Sequence, residues 1–313
     1  MPTPRSLDGA CRIADGGVIR ARGADAAKFL QGQLTNDVLT LGSDRACLAG
    51  FCSAKGRLQA SFVVSKAGDD EFLLACSASL LAPTLKRLSM FVLRAQCKLS
   101  DASAEVLLWG LAGSAAEAEL GDAGVWDKRR QNGTTLIRLP DADGTRRALF
   151  AAPAGIEPAT AAGGTLTPSA WHWLEVRSGV VSIEAATVDR FVPQMVNYEL
   201  VGGVDFQKGC YPGQEVVARS QYRGTTKRRT FLFDTDVLAS AGQDVFAAGS
   251  GSEAAGTVAN AAASPEGPGG SALVEVRLAA LGEGELRLGS ADGPVLHRAA
   301  LPYPVVLDAE AAA

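Results

Sequence analysis

Lys208-Gly209-Cys210-Tyr211-Pro212-Gly213-Gln214-Glu215 decides how this chain is read. A thiol stands between a glycine and a tyrosine, two residues after a lysine. Two more polar side chains, Gln214 and Glu215, follow within five residues. Gly209 and Gly213 open backbone conformations closed to other residues and let a ligand come close. Pro212 stiffens the turn between them. A neighbouring cation lowers a thiol's pKa, and the thiolate is the reactive species; Lys208 is the candidate neighbour. A hydrolase-type triad would also need a base. The chain has two histidines, His172 and His297, neither close to Cys210 in sequence. The stretch reads as a functional thiol more than as a triad nucleophile, with a turn cysteine that has no chemistry as the bland alternative.

The approach to this motif runs through Phe191-Val192-Pro193-Gln194-Met195-Val196-Asn197. Gln194 and Asn197 each offer paired donors and acceptors, which suits the mixed edge of a heteroaromatic ring. Loop amides bonded to nearby backbone are the bland alternative. Further upstream, Thr167-Pro168 opens a helix with a capping residue and a first-turn proline; it runs to Ser178 and stops at Gly179. Trp171, Leu174 and Ser178 share one face of it. A tryptophan there is usually core, but one lining a cleft stacks on a flat ligand such as a pterin. After the motif come Arg219, Arg223, Lys227, Arg228 and Arg229. This cluster suits a carboxylate tail such as polyglutamate, or a phosphate backbone. Only Tyr222 and Phe231 interleave with it, a poor stacking platform for RNA.

At 313 residues and 47% hydrophobic content, the chain can build a sizeable core over two or three domains. A net charge of -4 argues against bulk-charge binding to nucleic acid. No apolar run reaches membrane-span length, and the first residues lack the apolar core of a signal peptide. A cytoplasmic protein with no membrane partner is expected. Cys11, Cys47, Cys52, Cys76, Cys97 and Cys210 form no CxxC pair and suit a reducing compartment. No His-rich metal site is possible, and no phosphate loop or dinucleotide fingerprint is present.

A helix is expected after Asp25, within residues 23–38. Two strands, Cys47 to Phe51 and Leu58 to Val64, flank a hairpin turn containing Gly56. A strand over Glu71 to Cys76 precedes a helix over Ser79 to Leu93. The same mixture recurs with a strand over Glu105 to Leu111, a helix over Ser114 to Leu120, and strands over Thr134 to Leu139 and Arg146 to Ala151. After about Arg228 short β runs recur: Thr230 to Thr235, Asp244 to Ala247, Gly256 to Ala259, Leu273 to Leu281 and Glu285 to Leu288. Strands so punctuated by glycine-rich turns suggest a small barrel or sandwich. The tail 308–313 is expected to fray.

Four blocks of this sequence resemble the YgfZ-type folate-binding proteins, relatives of the glycine cleavage T-protein, an aminomethyltransferase. They are Gly23-Ala24-Asp25 with Phe29-Leu30-Gln31-Gly32-Gln33; Cys52 with Lys55-Gly56-Arg57; Phe191-Val192-Pro193-Gln194 with Asn197; and Gly202-Gly203 through Lys208–Glu215 to Ala218-Arg219. Gly224 and Lys227-Arg228-Arg229 extend the last block. The resemblance implies an α+β, three-part ring-like assembly around a folate pocket. It places a folate-binding core of two interleaved subdomains over 1–228 and a small β-barrel over 229–313.

The resemblance also implies tetrahydrofolate or another reduced folate as ligand, and a supporting role in iron–sulfur cluster assembly or repair. Iron–sulfur proteins or their assembly factors would be partners, with consequences for tRNA modification. Cys210 would be the functional thiol, with Lys208 beside it. Folate contacts would come from Trp171, Gln194, Asn197, Tyr211, Gln214, Glu215, Arg219 and Arg223.

Two departures accompany the likeness. Gly56-Arg57-Leu58-Gln59-Ala60 has no carboxylate where aminomethyltransferases carry an acidic pair, and an amide cannot replace an ionisable acid in proton transfer. Arg177 stands where an acidic residue is often found, and the family's second pocket tryptophan would fall near Gly16. The alternatives are an aminomethyltransferase-like enzyme and a non-catalytic RNA- or protein-binding module.

Overall fold

The computed structural model of the protein describes residues 7–159, 166–222, 226–248 and 253–306. The chain begins with β1 (Gly9–Arg12), β2 (Gly16–Arg22) and α1 (Ala26–Gln31). Strands β3 (Ala46–Cys52), β4 (Leu58–Gly68) and β5 (Glu71–Ser77) follow, then α2 (Ala78–Val92) and β6 (Lys98–Asp101). The middle comprises β7 (Val106–Ala112), α3 (Ser114–Leu120), β8 (Lys128–Gln131), β9 (Thr134–Ala142), β10 (Thr145–Pro153) and α4 (Pro168–Arg177). Helix α5 (Gln214–Tyr222) leads into β11 (Arg228–Thr235), β12 (Asp244–Ala247), β13 (Gly256–Ala263), β14 (Gly270–Arg277), β15 (Leu286–Leu288) and β16 (His297–Ala299).

Three antiparallel sheets result. The first has the order β3-β4-β5-β2-β6, the second β1-β7-β10-β9-β8. The chain therefore starts in the second sheet, crosses to the first and returns, so the two units interleave. The third sheet has the order β15-β12-β13-β14-β11-β16. Just before β16, Leu288 N donates to Pro294 O and Leu296 N to Leu286 O. One continuous stretch, 294–299, thus bonds β15 at one edge and forms β16 at the other, and the sheet curls into a half-barrel. The mixed α/β architecture with a curled C-terminal sheet agrees with the expected α+β class.

Local sequence explains the elements that build the centre. Thr167 Oγ1 accepts from Ala170 N at 3.1 Å and Pro168 follows it, which fixes the start of α4. Gly179, at φ +72, ends it. The β3–β4 turn closes through Ser53 N to Arg57 O and Gly56 N to Ser53 O, both 2.8 Å, with Gly56 at φ +70. Strand β4 is buried along most of its length, as a central strand requires.

Some elements differ from expectation. Helix α2 accommodates Pro83 in its interior and ends at Leu93, held at φ 43. The strand expected over Leu273 to Leu281 stops at Arg277 and becomes a 3-10 turn, Leu278–Gly282. Part of the thiol motif is helical: α5 starts at Gln214, and its Glu215–Arg219 pair at 2.6 Å supports it one turn apart. The tail 308–313 lies outside the described residues. No helix among the described residues is long and apolar enough to cross a membrane.

Candidate functional site

A cavity of about 810 Å³ opens where the three sheets face one another, within the size range of small-molecule sites. Its wall takes Ser61 to Val63 from β4, the inner face of α4 and Asn260 to Ala263 from β13. Helix α4 packs on β13 and β14 and also on β1 and β9, which brings the third sheet against the second.

Six ionisable side chains line this cavity: Asp15, Cys76, Arg147, His172, Glu175 and Glu184. His172 and Glu175 sit three apart on α4, with Nδ1 to Oε2 at 3.0 Å. His172 Nε2 lies 3.4 Å from Asp15 Oδ2, so the imidazole bridges α4 and the β1–β2 connection. The hydrogen bond to Glu175 raises the pKa of His172, against the effect of its burial. Burial likewise raises Glu184, although Asn260 Nδ2 donates to its Oε1 at 2.6 Å. Three carboxylates around one cavity make a wall rich in acceptors.

Trp171 forms part of the same wall but is buried, packed against Gly110 and Arg147. A Cβ on Gly110 would come 2.7 Å from Trp171 Cε2, so only glycine lets the indole lie on β7. The Arg147 guanidinium lies over the ring, 5.2 Å from its centroid. Gly16 also lines the cavity, with the Leu108 and Ile13 side chains filling the space beside it. Arg177 is not in the wall. It ties the sheets together, pairing with Asp143 at 2.7 Å and Asp234 at 2.9 Å while lying over Trp173.

The thiol motif occupies a separate place, against the β3–β4 turn. A Cβ on Gly213, at φ +77, would meet Gly56 N and Cα at 2.5 Å, so two glycines let the motif and the hairpin touch backbone to backbone. Cys210 is exposed, the only one of the six cysteines that is. Burial pushes the thiols of Cys11, Cys47, Cys52 and Cys76 up to about 12. Lys208 is buried, and its Nζ donates to Gln31 O and Leu34 O at the end of α1. It sits 5.1 Å from the centroid of the buried Tyr211 ring. Burial lowers its pKa to about 8, the nearby Asp37 and Asp205 opposing the shift. Lys208 thus fastens the loop that carries Cys210.

Gln194 and Asn197 are fully buried. Gln194 Nε2 donates to Val217 O and Asn197 Nδ2 to Thr230 O, each at 2.7 Å. They hold α5 and β11 in place, and neither lines the cavity. The linear basic cluster disperses. Arg219 pairs with Glu215, Arg228 with Glu275 and Arg229 with Glu199, while Lys227 is exposed. Arg223 and Gly224 lie outside the described residues. Of the sequence-derived contacts, Trp171 alone lines the cavity; Tyr211, Gln214, Glu215 and Arg219 group with Cys210 at the hairpin.

The chain reading passed over Asp15, Arg147, Glu184 and Asp189. Asp189 Oδ2 accepts from Gln59 Nε2 at 3.2 Å, which places a carboxylate beside the hairpin strand that lacks one. Only the His172/Glu175 pair had a local signal, its helical spacing of three.

Comparison with known proteins follows this geometry. Residues 9–129 match the GCVT N-terminal domain family. The chain is 34% identical over 243 residues to the tRNA-modifying protein YgfZ of Edwardsiella ictaluri, covering 70% of this chain and 69% of that one. It is 31% identical over 234 residues to the YgfZ protein of Escherichia coli K12, covering 71% of each. In fold it is similar to the glycine cleavage system aminomethyltransferase T from Bartonella henselae. The TM-score is 0.69 at 16% identity, covering 93% of this chain and 85% of that one.

Proposed function

The chain belongs to the YgfZ family, and from that premise we propose that it is a reduced-folate-binding accessory protein of tRNA modification. Its contribution is to the assembly or repair of iron–sulfur clusters on which such enzymes depend. The observation that carries the folate reading is the cavity between the three sheets, with its acceptor-rich wall of Asp15, Glu175 and Glu184 beside Trp171 and Arg147. The pyrimidinone half of a reduced pterin is flat and presents several N–H donors on one edge, together with an exocyclic oxo group. Carboxylates accept such donors with charge-assisted hydrogen bonds, and the cavity is large enough for the ring and part of its arm.

A bound reduced folate supplies a one-carbon carrier or a reductant. The protein's own residues hold the ring, shield it and present the thiol. His172 keeps Glu175 and Asp15 oriented across the mouth of α4. Cys210 is the functional thiol, reachable from solvent by a partner protein. Lys208 is a positioning residue that locks the thiol's loop to α1. Aminomethyl transfer is the weaker reading, because Gln59 and Ala60 occupy the acidic positions and Asp189 lies outside the cavity wall.

Calorimetric titration with tetrahydrofolate tests the ligand, comparing the native protein with Trp171→Ala. Saturable heat with the native protein and its loss in the variant is the expected result; no heat with any reduced folate removes the premise. For the thiol, Cys210→Ala is introduced into cells lacking the protein and the activity of a cluster-containing tRNA-modifying enzyme is measured. Full rescue by that variant sinks the thiol role.

A further inference from the structure

Arg147 is an anomaly in the cavity wall. It comes from β10, is 3% exposed, and makes no ion pair among the described residues. Its Nε donates to Pro140 O at 3.1 Å, and its buried Nη1 has no partner. Burial lowers its pKa to about 10, with Glu175 and Asp141 opposing the shift and Arg138 adding to it. Buried polar groups are almost always hydrogen-bonded, and an unpaired one is unfavourable. A guanidinium left with an unmet N–H beside a cavity of ligand size is arranged for an acceptor that arrives from outside.

The rest of the wall narrows what that acceptor is. Arg147 is the only lysine or arginine among the lining residues, set against Asp15, Glu175 and Glu184. A ligand anion would face three carboxylates across the cavity. A neutral ring with one acceptor oxygen next to N–H donors matches both sides. Shifting the guanidinium toward such an oxygen would also free the face of Trp171 that it now covers.

We propose that Arg147 is the oxygen-reading group of this cavity: its unpaired N–H donates to the ring oxo group of the bound folate, so the site selects a 4-oxo ring over the 4-amino analogue. The inference rests on the folate reading above. Exchange of oxo for amino turns the acceptor facing Arg147 into a donor, and two donors then oppose each other.

The test is a calorimetric comparison of tetrahydrofolate with its 4-amino analogue on three proteins: native, Arg147→Met and Arg147→Lys. The native protein is expected to favour the 4-oxo ring by roughly 10- to 100-fold, the range for a lost charge-assisted hydrogen bond. Arg147→Met is expected to weaken tetrahydrofolate binding and reduce the preference to about threefold or less. Replacing a buried, poorly paired charge with an apolar residue of similar volume is commonly tolerated, so its thermal midpoint should not fall. Arg147→Lys retains a charge without the planar fork and should keep part of the preference. If both variants discriminate as the native protein does, the inference is overturned. If the native protein binds both rings equally, the inference is overturned and the folate reading stands. If it binds neither, the folate reading falls and takes the inference with it.

Discussion

Gly213 rests directly on Gly56, with the position of its missing Cβ 2.5 Å from the Gly56 Cα. The thiol motif and the hairpin motif, 157 residues apart in sequence, are thereby one structural unit. Gly213→Ala meets backbone atoms that cannot rotate away, and does so at a positive φ. We expect a loss of about 2–4 kcal/mol in urea unfolding. Gly209→Ala, with nothing within 4 Å of its Cβ, should stay within about 0.5 kcal/mol of the native protein. Equal effects from the two substitutions would contradict the contact.

Gly110→Ala tests the seat of Trp171. The added methyl overlaps the indole ring, so Trp171 must shift into Arg147 or the cavity. Overpacking of this kind costs about 1–3 kcal/mol. Tetrahydrofolate binding should weaken in parallel, as read by calorimetry. An unchanged unfolding midpoint together with native binding would show that the ring has room to spare.

Thiol labelling should be confined to one site. Brief treatment of the folded protein with a maleimide at neutral pH is expected to add a single adduct at Cys210, counted by intact-mass spectrometry. In Cys210→Ser the fast adduct should disappear, and all remaining cysteines should react only on unfolding. A second fast adduct at Cys47 or Cys76, both partly exposed, would contradict this picture.

Alkaline pH should destabilise the fold. The thiols of Cys11, Cys47, Cys52 and Cys76 are raised from 9.0 to about 12. Between those values the unfolded chain has lost protons that the folded chain keeps, so stability falls as pH rises. Lys128 and Lys208 act in the opposite sense, since burial lowers both from 10.5 to about 8. In their window the unfolded chain holds the extra proton and stability rises with pH. Four thiols outweigh two lysines, and the urea midpoint is expected to decline steadily above about pH 9. Lys208→Met should steepen that decline by removing one opposing group.

Arg177 joins three parts of the molecule at a single guanidinium. Arg177→Ala removes its pairs with Asp143 and Asp234 and its contact with Trp173. The pairs are partly exposed, so about 1–2 kcal/mol is expected. Proteolysis of the folded protein should then expose the boundary between α4 and the third sheet. Unchanged proteolytic protection would argue against Arg177 as a tie.

What could be read in the chain was local. Thr167-Pro168 announced α4 because a cap and a first-turn proline act over four residues. The turn at Gly56 was legible for the same reason. Gln194 and Asn197 have the chemistry of ligand contacts, and only the packing shows their donors bonded to Val217 and Thr230. The run of arginines is local, whereas Glu275 and Glu199, which pair with two of them, come from other elements. Arg147 was invisible, since nothing in Thr145–Pro153 distinguishes a buried arginine from an exposed one. The cavity itself has no sequence signal, being the space that three sheets leave between them.

Strand β4 has a consequence for any chemistry this protein performs. Its hairpin end holds the loop of Cys210, while Ser61 to Val63, farther along, form cavity wall. From Leu58 to Ser61 the strand extends roughly 10 Å at about 3.3 Å per residue. One strand thus serves both places, the hairpin that seats the thiol motif and the wall of the cavity.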